Sequence, residues 1–436
     1  MIQTVDELLT KKIYNMKKQN ITALAVVVAL GCPDISNANE TNISKKIENL
    51  ESRIQQLEFK QSTDTNSDSK TKLGLSAFNP YISIVLNGAY RYWAHKPDEV
   101  QGFQIGEEGA TPNRGFSLGE SEINMGANVD DKFFANLTAA IVNEDGEDKI
   151  ELEEAFVKTI GLPWGLTATA GRMKPVFGYL NEKHAHTDDF ADRPLPYRIF
   201  LNNAYKDDGV QISMVLPTDF YTEIGGGIYQ GNYFPAGSND NATFGAGNAY
   251  LRFGGDITDN QSWVLGLSYL YSKSSDDGRE TDNLLFFGTD NLYAASLKYT
   301  WAPTGNNRHS ELTLQGEYLY RNENGKYKFG DDEPVANDNN SCGWYIQSIY
   351  KFEQNWKIGY RYSRMKTNNV PYLLENTVLN TDRHYLDTHS MMAEWNNSEF
   401  SRIRLQYNYD RISEKDNHGV VLQYTITFGA HPAHTY

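Results

Sequence analysis

The last third of the chain alternates strictly between apolar and polar residues, and this pattern restricts the possible folds more than any other feature. In segment 419–428 one face carries Val420, Leu422, Tyr424, Ile426 and Phe428, and the other carries Gln423, Thr425 and Thr427. Segment 402–410 repeats the alternation with charged residues on its polar face. Successive side chains of a β-strand point to opposite faces. A tyrosine-rich apolar face opposite a charged face predicts strands with lipid outside and water inside, as in a transmembrane β-barrel.

The size and composition of the chain agree with this prediction. Its 436 residues exceed one ordinary soluble domain but fit one large barrel. Aromatic residues make up 13% of the chain, with 28 tyrosines, which barrels use as girdles at the two membrane interfaces. The net charge of −16 argues against nucleic-acid binding, which needs a basic surface. It is compatible with acidic loops that attract cations.

The pattern predicts an all-β fold, a transmembrane antiparallel barrel of about sixteen strands. We place the strands near 79–94, 116–129, 132–145, 149–160, 165–177, 207–216, 219–232, 246–256, 261–273, 290–301, 308–321, 342–353, 355–366, 387–396, 400–413 and 418–429. Short connections alternate with long ones along this series, as expected if all long loops lie at one end. Because alternation is poor in 149–160 and 165–177, fourteen or eighteen strands remain alternatives.

The N-terminal 38 residues are expected to be an extension followed by a secretory signal peptide. Lys17 and Lys18 precede an apolar run, 21–31, that is too short to span a bilayer as a helix. Ser36, Asn37 and Ala38 offer a cleavage site of small residues. We therefore expect the mature chain to lie outside the cytoplasm.

Residues 39–61 are predicted to form a coiled-coil helix, and 62–78 a polar linker leading to the barrel at 79–436. Isoleucine occupies heptad position a at 47 and 54, and leucine occupies position d at 50 and 57. We expect self-association, most simply a homotrimer held by the barrel and the coiled coil, with the coiled coil in the periplasm. The alternative is a helix that packs on its own barrel.

The third outer loop, 179–206, is the segment richest in charge. Together with the strand end that precedes it, it contributes Arg172, Lys174, Glu182, Lys183, Asp188, Asp189, Asp192, Arg193 and Arg198. Pro194 and Pro196 stiffen its path. A loop of this length in a compact domain usually has a function. We predict that it forms a charged constriction of the lumen; the alternative is an ordinary exposed loop.

Two histidines in this loop are candidate metal ligands. His184 and His186 are separated by one residue and are followed by two aspartates. Neutral imidazole and carboxylate suit zinc, and two histidines at this spacing can reach one ion from an extended loop. The alternative is a pair of loop histidines without a ligand. A second pair, His431 and His434, follows the last strand and is too far along the barrel to share the ion.

Four basic residues are predicted to line the lumen on the thirteenth and fifteenth strands: Lys357, Arg361, Arg402 and Arg404. Opposed charges across a lumen create a transverse field that orders water and selects polar solutes. The alternative is a wall that is polar only because it is solvated. Both interpretations place these side chains inside the barrel.

We do not predict an enzyme, a catalytic residue or a resident cofactor. Outer-membrane proteases use aspartate pairs and an aspartate–histidine pair, and residues of those types occur at 186, 188 and 189. Clustered acids and histidines are weak evidence for acid–base catalysis without a defined geometry. No motif marks the serine–histidine pair that a phospholipase would need.

Several motifs resemble known outer-membrane proteins. The segment 171–178, GRMKPVFG, resembles the entry to the third loop in porins of the phosphate-selective type. The segments 180–186, 192–198, 208–211 and 429–434 are similar to a narrower group, labelled zinc-regulated TonB-dependent outer-membrane receptors. The resemblance implies a barrel in the bacterial outer membrane, surrounded by lipid, and zinc uptake driven through TonB.

These observations lead to three hypotheses. We expect an outer-membrane porin that passes small polar solutes or ions by diffusion, with the loop at 179–206 as constriction. The first alternative is a zinc-responsive metal-uptake receptor, in which zinc is cargo or ligand. TonB coupling is not expected, because about 40 residues between the signal and the first strand leave no room for a plug domain. The second alternative is a cell-envelope anchor whose coiled coil contacts peptidoglycan.

Overall fold

A computed structural model describes residues 80–96, 99–144, 147–237, 244–281 and 283–429. The predicted signal peptide, coiled coil and linker and the pair His431 and His434 lie outside the described residues, so those predictions stay predictions. The strands are β1 (Tyr81–Trp93), β2 (Gly115–Leu118), β3 (Ser121–Asn128), β4 (Phe133–Glu144), β5 (Glu147–Thr159), β6 (Leu166–Met173), β7 (Asp207–Val215), β8 (Tyr221–Tyr229), β9 (Ala246–Thr258), β10 (Gln261–Thr281), β11 (Leu284–Trp301), β12 (Glu311–Phe329), β13 (Val335–Ala336), β14 (Asn339–Glu353), β15 (Trp356–Lys366), β16 (Tyr385–Ser398), β17 (Ser401–Arg411) and β18 (Asn417–Gly429).

The strands form one closed antiparallel barrel. Each strand pairs with its neighbour in the chain, and β1 pairs with β18 to close the sheet. β2 and β3 both pair with β1 and together make one course across the wall, whereas β13 only extends the pairing of β12. The described residues therefore form sixteen wall-crossing strands. The predicted all-β barrel of sixteen strands is confirmed.

The alternation read from the sequence gives the two faces of the wall. On β18, Leu422 and Ile426 point outward and are 48% and 44% exposed, whereas Gln423 and Thr425 point into the lumen and are 5% and 6% exposed. β17 repeats this arrangement, with Leu405 outside. An apolar outer surface around a polar interior is the arrangement of a barrel in lipid.

The poor alternation near 150 has a local cause. Thr138 of β4 pairs with Glu154 of β5, but the next residue, Ala139, pairs with Leu152. Glu153 is therefore the extra residue of a β-bulge, which leaves one residue unpaired and bends the strand. Two successive glutamates consequently occupy positions at the lumen, and the period of two is lost there.

Loop 3, the chain between β6 and β7 (174–206), packs inside the barrel. Its centre is the helix α1 (Leu195–Leu201), and all seven residues of this helix are buried. Pro196 lies in the first turn, where no amide donor is needed, and Asn202 ends the helix in the left-handed conformation. Short 3-10 helices occur at Glu107–Gly109, Pro163–Gly165, Ala185–Thr187 and Tyr372–Leu374.

The main apolar core of the described residues lies inside the lumen. Phe177, Tyr197 and Phe200 of loop 3 pack against inward side chains of the wall such as Leu319 and Tyr345. Phe103, from the loop between β1 and β2 (loop 1, 94–114), joins the same cluster. The two loops are thus integral to the packing of the barrel. Within the described ranges, none of the helices is long and apolar enough to cross a membrane.

Candidate functional site

Loop 3 crosses the lumen and is attached to the wall on several sides. Glu182 pairs with Arg252 of β9 at 2.6 Å. On the next strands, Lys298 of β11 donates to the Tyr179 hydroxyl at 2.9 Å. Lys183 lies over the ring of Tyr179, 4.7 Å from its centroid. The first half of the loop is therefore held against β9 and β11.

A buried carboxylate on β12 holds the middle of the loop. Glu317 accepts hydrogen bonds from the hydroxyls of Tyr197 at 2.9 Å and Tyr345 at 2.5 Å, and from the amide of Tyr179 at 2.9 Å. Three donors to one carboxylate satisfy it without a cation in contact. This arrangement fixes α1 relative to β12 and β14.

The four basic residues predicted for the lumen wall contact loop 3 directly. Arg361 lies 2.6 Å from the Asp192 carboxylate, and Arg404 donates to the carbonyl oxygen of Asp188 at 2.7 Å. Arg402 donates to the carbonyl oxygen of His186. Lys357 lies 3.4 Å from Glu394 of β16 and 4.0 Å from Asp189. In this structure these charges attach the loop to β15–β17 and do not face the acids across open space.

The charge of Asp192 depends on this attachment. Burial raises the pKa of the Asp192 carboxyl, but the charges of Arg361 and Arg198 and hydrogen bonds from Gln406 and Arg361 outweigh burial. The net pKa is lower than the usual value, so the carboxylate stays ionised in neutral solution.

A second ion pair lies within the loop. Arg193 and Asp188 are 2.9 Å apart, with side chains 3% and 7% exposed. Arg193 also donates to the carbonyl oxygens of Lys183 and Asn203. Arg198 reaches loop 1, where its guanidinium donates to the carbonyl oxygen of Gly109 at 3.0 Å. Loop 3 is thus stabilised internally and against loop 1.

The two loop histidines lie against a row of glutamates. Nδ1 of His184 is 3.1 Å from Glu122, its Nε2 is 3.0 Å from Glu154, and Nδ1 of His186 is 3.0 Å from the second oxygen of Glu122. The two imidazole rings are stacked with centroids 5.7 Å apart. Glu153 binds Lys174 at 2.9 Å. We call Glu120, Glu122, Glu153, Glu154, Lys174, His184 and His186 the glutamate–histidine cluster.

The glutamates of this cluster were missed by the sequence analysis, although two signals pointed to them. Glu122 lies on β3, just after the break at 119–120, and Glu120 lies in that break. Glu153 and Glu154 lie at the bulge of β5. Two signals were available in the sequence. Glu120 and Glu122 are two residues apart at the start of a strand, and Glu153 and Glu154 belong to a run of acidic residues where the alternation fails. Their proximity to residue 184 depends on the path of loop 3.

The electrostatics of the cluster favour a protonated His184. Burial lowers the pKa of His184, and the nearby Lys174 charge lowers it further, but the charge of Glu122 and hydrogen bonds to Glu122 and Glu153 outweigh both. The net pKa lies well above the usual value. Burial likewise opposes the charge of Lys174, but the surrounding glutamates raise its pKa. Both cations neutralise the carboxylates around them.

The ligand set of the cluster is suitable for zinc. Glu122, His184 and His186 each offer a ligand atom, and these atoms lie within 4.8 Å of one another. Two imidazoles and one carboxylate are a ligand set that binds zinc and leaves one position open. A zinc ion there would have to displace the proton of His184, because the metal binds neutral imidazole.

Arg172 does not lie with the other predicted constriction residues. It is on the same face of β6 as Ala170, which pairs with Val210 on the outer face of β7. Val210 is 45% exposed, and Arg172 pairs with Asp208 at 2.8 Å on that face. Its side chain therefore belongs to the outer surface. Because Arg172 directly precedes loop 3, it was predicted to face the lumen. The alternation of side chains along β6 places it on the outer face instead.

A cavity of about 190 Å³ remains between loop 3 and the wall of β1, β5, β17 and β18, with the break between β2 and β3 at its edge. Its charged lining residues carry both signs: Arg91, Lys174, Arg193, Arg198 and Lys206, and Glu108, Glu120, Glu153, Asp188 and Asp192. Trp93 and Phe190 add aromatic surface, and loop 1 contributes Ala110 and Pro112. The cavity is therefore lined both by loop residues that were predicted to form the constriction, such as Asp192, and by wall residues that were not predicted, such as Arg91.

Solved structures with the same fold are outer-membrane porins. OprB of Pseudomonas putida is 11% identical, with a TM-score of 0.52 over 83% of this chain and 96% of that chain. OmpF of Salmonella typhi is 12% identical, with a TM-score of 0.50 over 81% and 99%. An anion-selective porin of Comamonas acidovorans is 10% identical, with a TM-score of 0.50 over 80% and 99%. These similarities establish the porin-like barrel fold.

Sequence comparison gives a narrower relationship. No protein-family model matches the chain. An uncharacterized protein of Aquifex aeolicus (strain VF5) is 30% identical over 390 residues, which cover 83% of this chain and 80% of that protein. The chain is therefore a porin-like sixteen-stranded barrel that belongs to the same family as the Aquifex aeolicus protein.

Proposed function

We propose that the protein is a diffusion channel of the bacterial outer membrane, with loop 3 as its constriction. The observation that carries the proposal is the path of loop 3, which packs against inward side chains of the wall and borders a charged cavity beside β1 and β18. A loop attached to several strands cannot leave the lumen without breaking many contacts. It therefore sets the size of the passage.

The lining of the cavity favours small polar solutes and ions. Arg91, Arg198 and Lys206 lie around the same space as Glu108 and Asp192. Fixed charges of both signs stabilise hydrated or zwitterionic solutes and exclude apolar ones, because an apolar solute would displace water from these groups. The acidic residues and histidines form ion pairs that attach loop 3 to the wall and stabilise it internally. We propose no enzymatic role for them.

Single-channel recording in a planar bilayer tests this proposal. We expect stable current steps from the wild-type protein. Phe190→Ala should raise the conductance, because the ring of Phe190 borders the cavity. Phe116→Ala is the matched control, since its ring lies on the outer surface and is 89% exposed. A folded protein without current steps would contradict the diffusion channel.

A second candidate function is a zinc-responsive pore or uptake receptor. The observation that favours it is that Glu122 of the wall lies beside both predicted ligands, His184 and His186. The resemblance of 180–186 to the zinc-regulated group supports the same proposal. We place a bound zinc ion at the edge of loop 3, where it would attach the loop to β3.

Self-association is proposed through the outer face of β4–β7. Among the described residues, the outward positions of these strands carry neither tyrosine nor tryptophan, whereas those of β15–β18 carry Trp356, Tyr360, Tyr362, Tyr385, Trp395, Tyr407, Tyr409 and Tyr424. A shallow apolar depression on that wall is lined by residues including Ala135, Ala155 and Ala170. A wall whose strands carry no outward tyrosine or tryptophan suits contact with another copy better than contact with lipid.

A further inference from the structure

A basic and aromatic patch lies on the outward face of β15–β18, near the end that carries the long loops. Arg364 pairs in register with Asp387, and Asp387 pairs with Arg411 on the next strand. Lys366 follows Arg364 at the next outward position of β15 and is exposed. We call Arg364, Lys366, Asp387, His389 and Arg411, with the tyrosines beside them, the outer patch.

The charge of the outer patch is positive. Arg411 binds both oxygens of Asp387, at 2.6 and 2.7 Å, whereas Arg364 is 3.6 Å from the same carboxylate. The side chains of Arg364 and Arg411 are 35% and 37% exposed. On the outward strand positions, three permanent cations face one carboxylate. The neighbouring carboxylate of Asp416, which accepts from the Tyr409 hydroxyl, is paired with Arg383 at 2.7 Å, so the balance stays positive. This contrasts with the chain as a whole, whose net charge is −16.

The aromatic residues fix the depth of the patch in the membrane. The register places Tyr362, His389, Tyr409 and His418 in one row, directly on the membrane side of the arginine row. Arg364 lies over the ring of Tyr385, 4.9 Å from its centroid. Aromatic girdles mark the boundary between the hydrocarbon and the head groups. The arginine row therefore lies at the level of the lipid head groups.

We propose that the outer patch binds a phosphorylated lipid head group of the outer leaflet. Guanidinium groups form paired hydrogen bonds with phosphate oxygens, and exposed cations at a membrane surface attract anionic lipids. A second copy of the chain is a poorer occupant, because self-association is proposed through β4–β7 and a two-fold contact at the outer patch would bring two positive patches together. The inference rests on the proposed placement in the outer membrane, but not on conduction.

Native mass spectrometry of the full chain in detergent, with added lipid A, tests the proposal. The variant Arg364→Gln with Lys366→Gln removes two cations and leaves the Arg411–Asp387 pair intact. We expect its lipid A binding to fall about thirtyfold. The control is Arg308→Gln, since Arg308 is an exposed arginine in the turn between β11 and β12, outside the outer patch and outside the wall proposed for self-association. This control should bind like wild type.

Three results would overturn the proposal. Undiminished binding by the double variant would exclude the patch. Equal binding of lipid A without its phosphates would exclude the head-group phosphate as the ligand. Loss of bound lipid in millimolar inorganic phosphate would indicate a site for free anions. Single-channel currents of the same variants should be unchanged, so that failure of the patch and failure of the diffusion channel can be told apart.

Discussion

At the residue scale, the unusual feature is the density of carboxylates beside loop 3. Glu122, Glu153 and Glu154 lie against His184, and Lys174 binds Glu153. Carboxylates this close to one another favour any cation placed between them. In the zinc-free protein the attraction between Glu122 and protonated His184 is complete below the usual histidine pKa. It is lost as the pH rises through the raised pKa of His184.

The zinc proposal predicts a pH dependence with a defined sign. Below the raised pKa of His184, each zinc ion bound must release the proton of that imidazole. Zinc affinity should therefore fall about tenfold for each unit by which the pH is lowered. Isothermal titration calorimetry at several pH values, in buffers of different ionisation enthalpy, measures the affinity and the released proton.

Variants separate this site from other histidines. His184→Ala and His186→Ala should each abolish the tight zinc binding and any zinc block of the current. His309→Ala is the control, because His309 is exposed in the connection between β11 and β12. Zinc binding that survives in both loop variants would contradict the assignment of the metal to this cluster.

At the element scale, loop 3 is held by polar contacts at its edges and by apolar packing at its centre. Arg361 makes two contacts with Asp192: its guanidinium binds the carboxylate and also donates to the carbonyl oxygen of Asp192. Asp192 also accepts hydrogen bonds from Gln406 and Asn408. Together these contacts fix the loop segment that borders the cavity.

Arg361→Gln is expected to loosen this segment without unfolding the barrel. Loss of hydrogen bonds to a charged partner should cost about 1.5–3 kcal/mol of local stability, which is too little to disrupt a sixteen-stranded wall. Current recordings should show higher and noisier conductance than wild type. Arg308→Gln, in an exposed turn, should leave the current unchanged. Identical recordings from the two variants would show that the attachment does not control the passage.

At the scale of the whole molecule, the barrel has two different outer walls. The outward face of β15–β18 carries an aromatic girdle, whereas the described outward positions of β4–β7 carry neither tyrosine nor tryptophan. Ala155 and Ala393 are both outward alanines, one on each wall: Ala155 pairs with Leu137, and Ala393 pairs with Leu405. They provide a matched pair for testing the assembly.

Ala155→Trp should dissociate the oligomer, because an indole ring would separate two closely packed walls. Ala393→Trp should have no effect, since tryptophan is tolerated where the wall faces lipid. Size-exclusion chromatography with light scattering, in mild detergent, measures the mass of each variant. A wild-type mass in Ala155→Trp would place the interface elsewhere, and a monomeric wild type would contradict self-association.

Much of the fold could be predicted from the sequence. The order of the strands, the count of sixteen, and the inward and outward faces of β17 and β18 follow from alternation, which is a local property of each strand. Three strands are longer than predicted: β10 ends at Thr281 instead of 273, β11 begins at Leu284 instead of 290, and β12 ends at Phe329 instead of 321. The prediction was weakest at β5, where the bulge at Glu153 breaks the period of two. The strand was still recognised because its neighbours and the parity of the connections required it.

The candidate site was predicted only in part. Sequence alone determined that a long charged loop with two histidines follows β6. Only the tertiary structure decided that His186 meets Glu122, 64 residues earlier, and that Asp192 meets Arg361, 169 residues later. It also decided that Arg172 faces outward. Local periodicity specifies which side of a strand a residue occupies, whereas the path of a loop across the lumen depends on contacts between residues far apart in the chain.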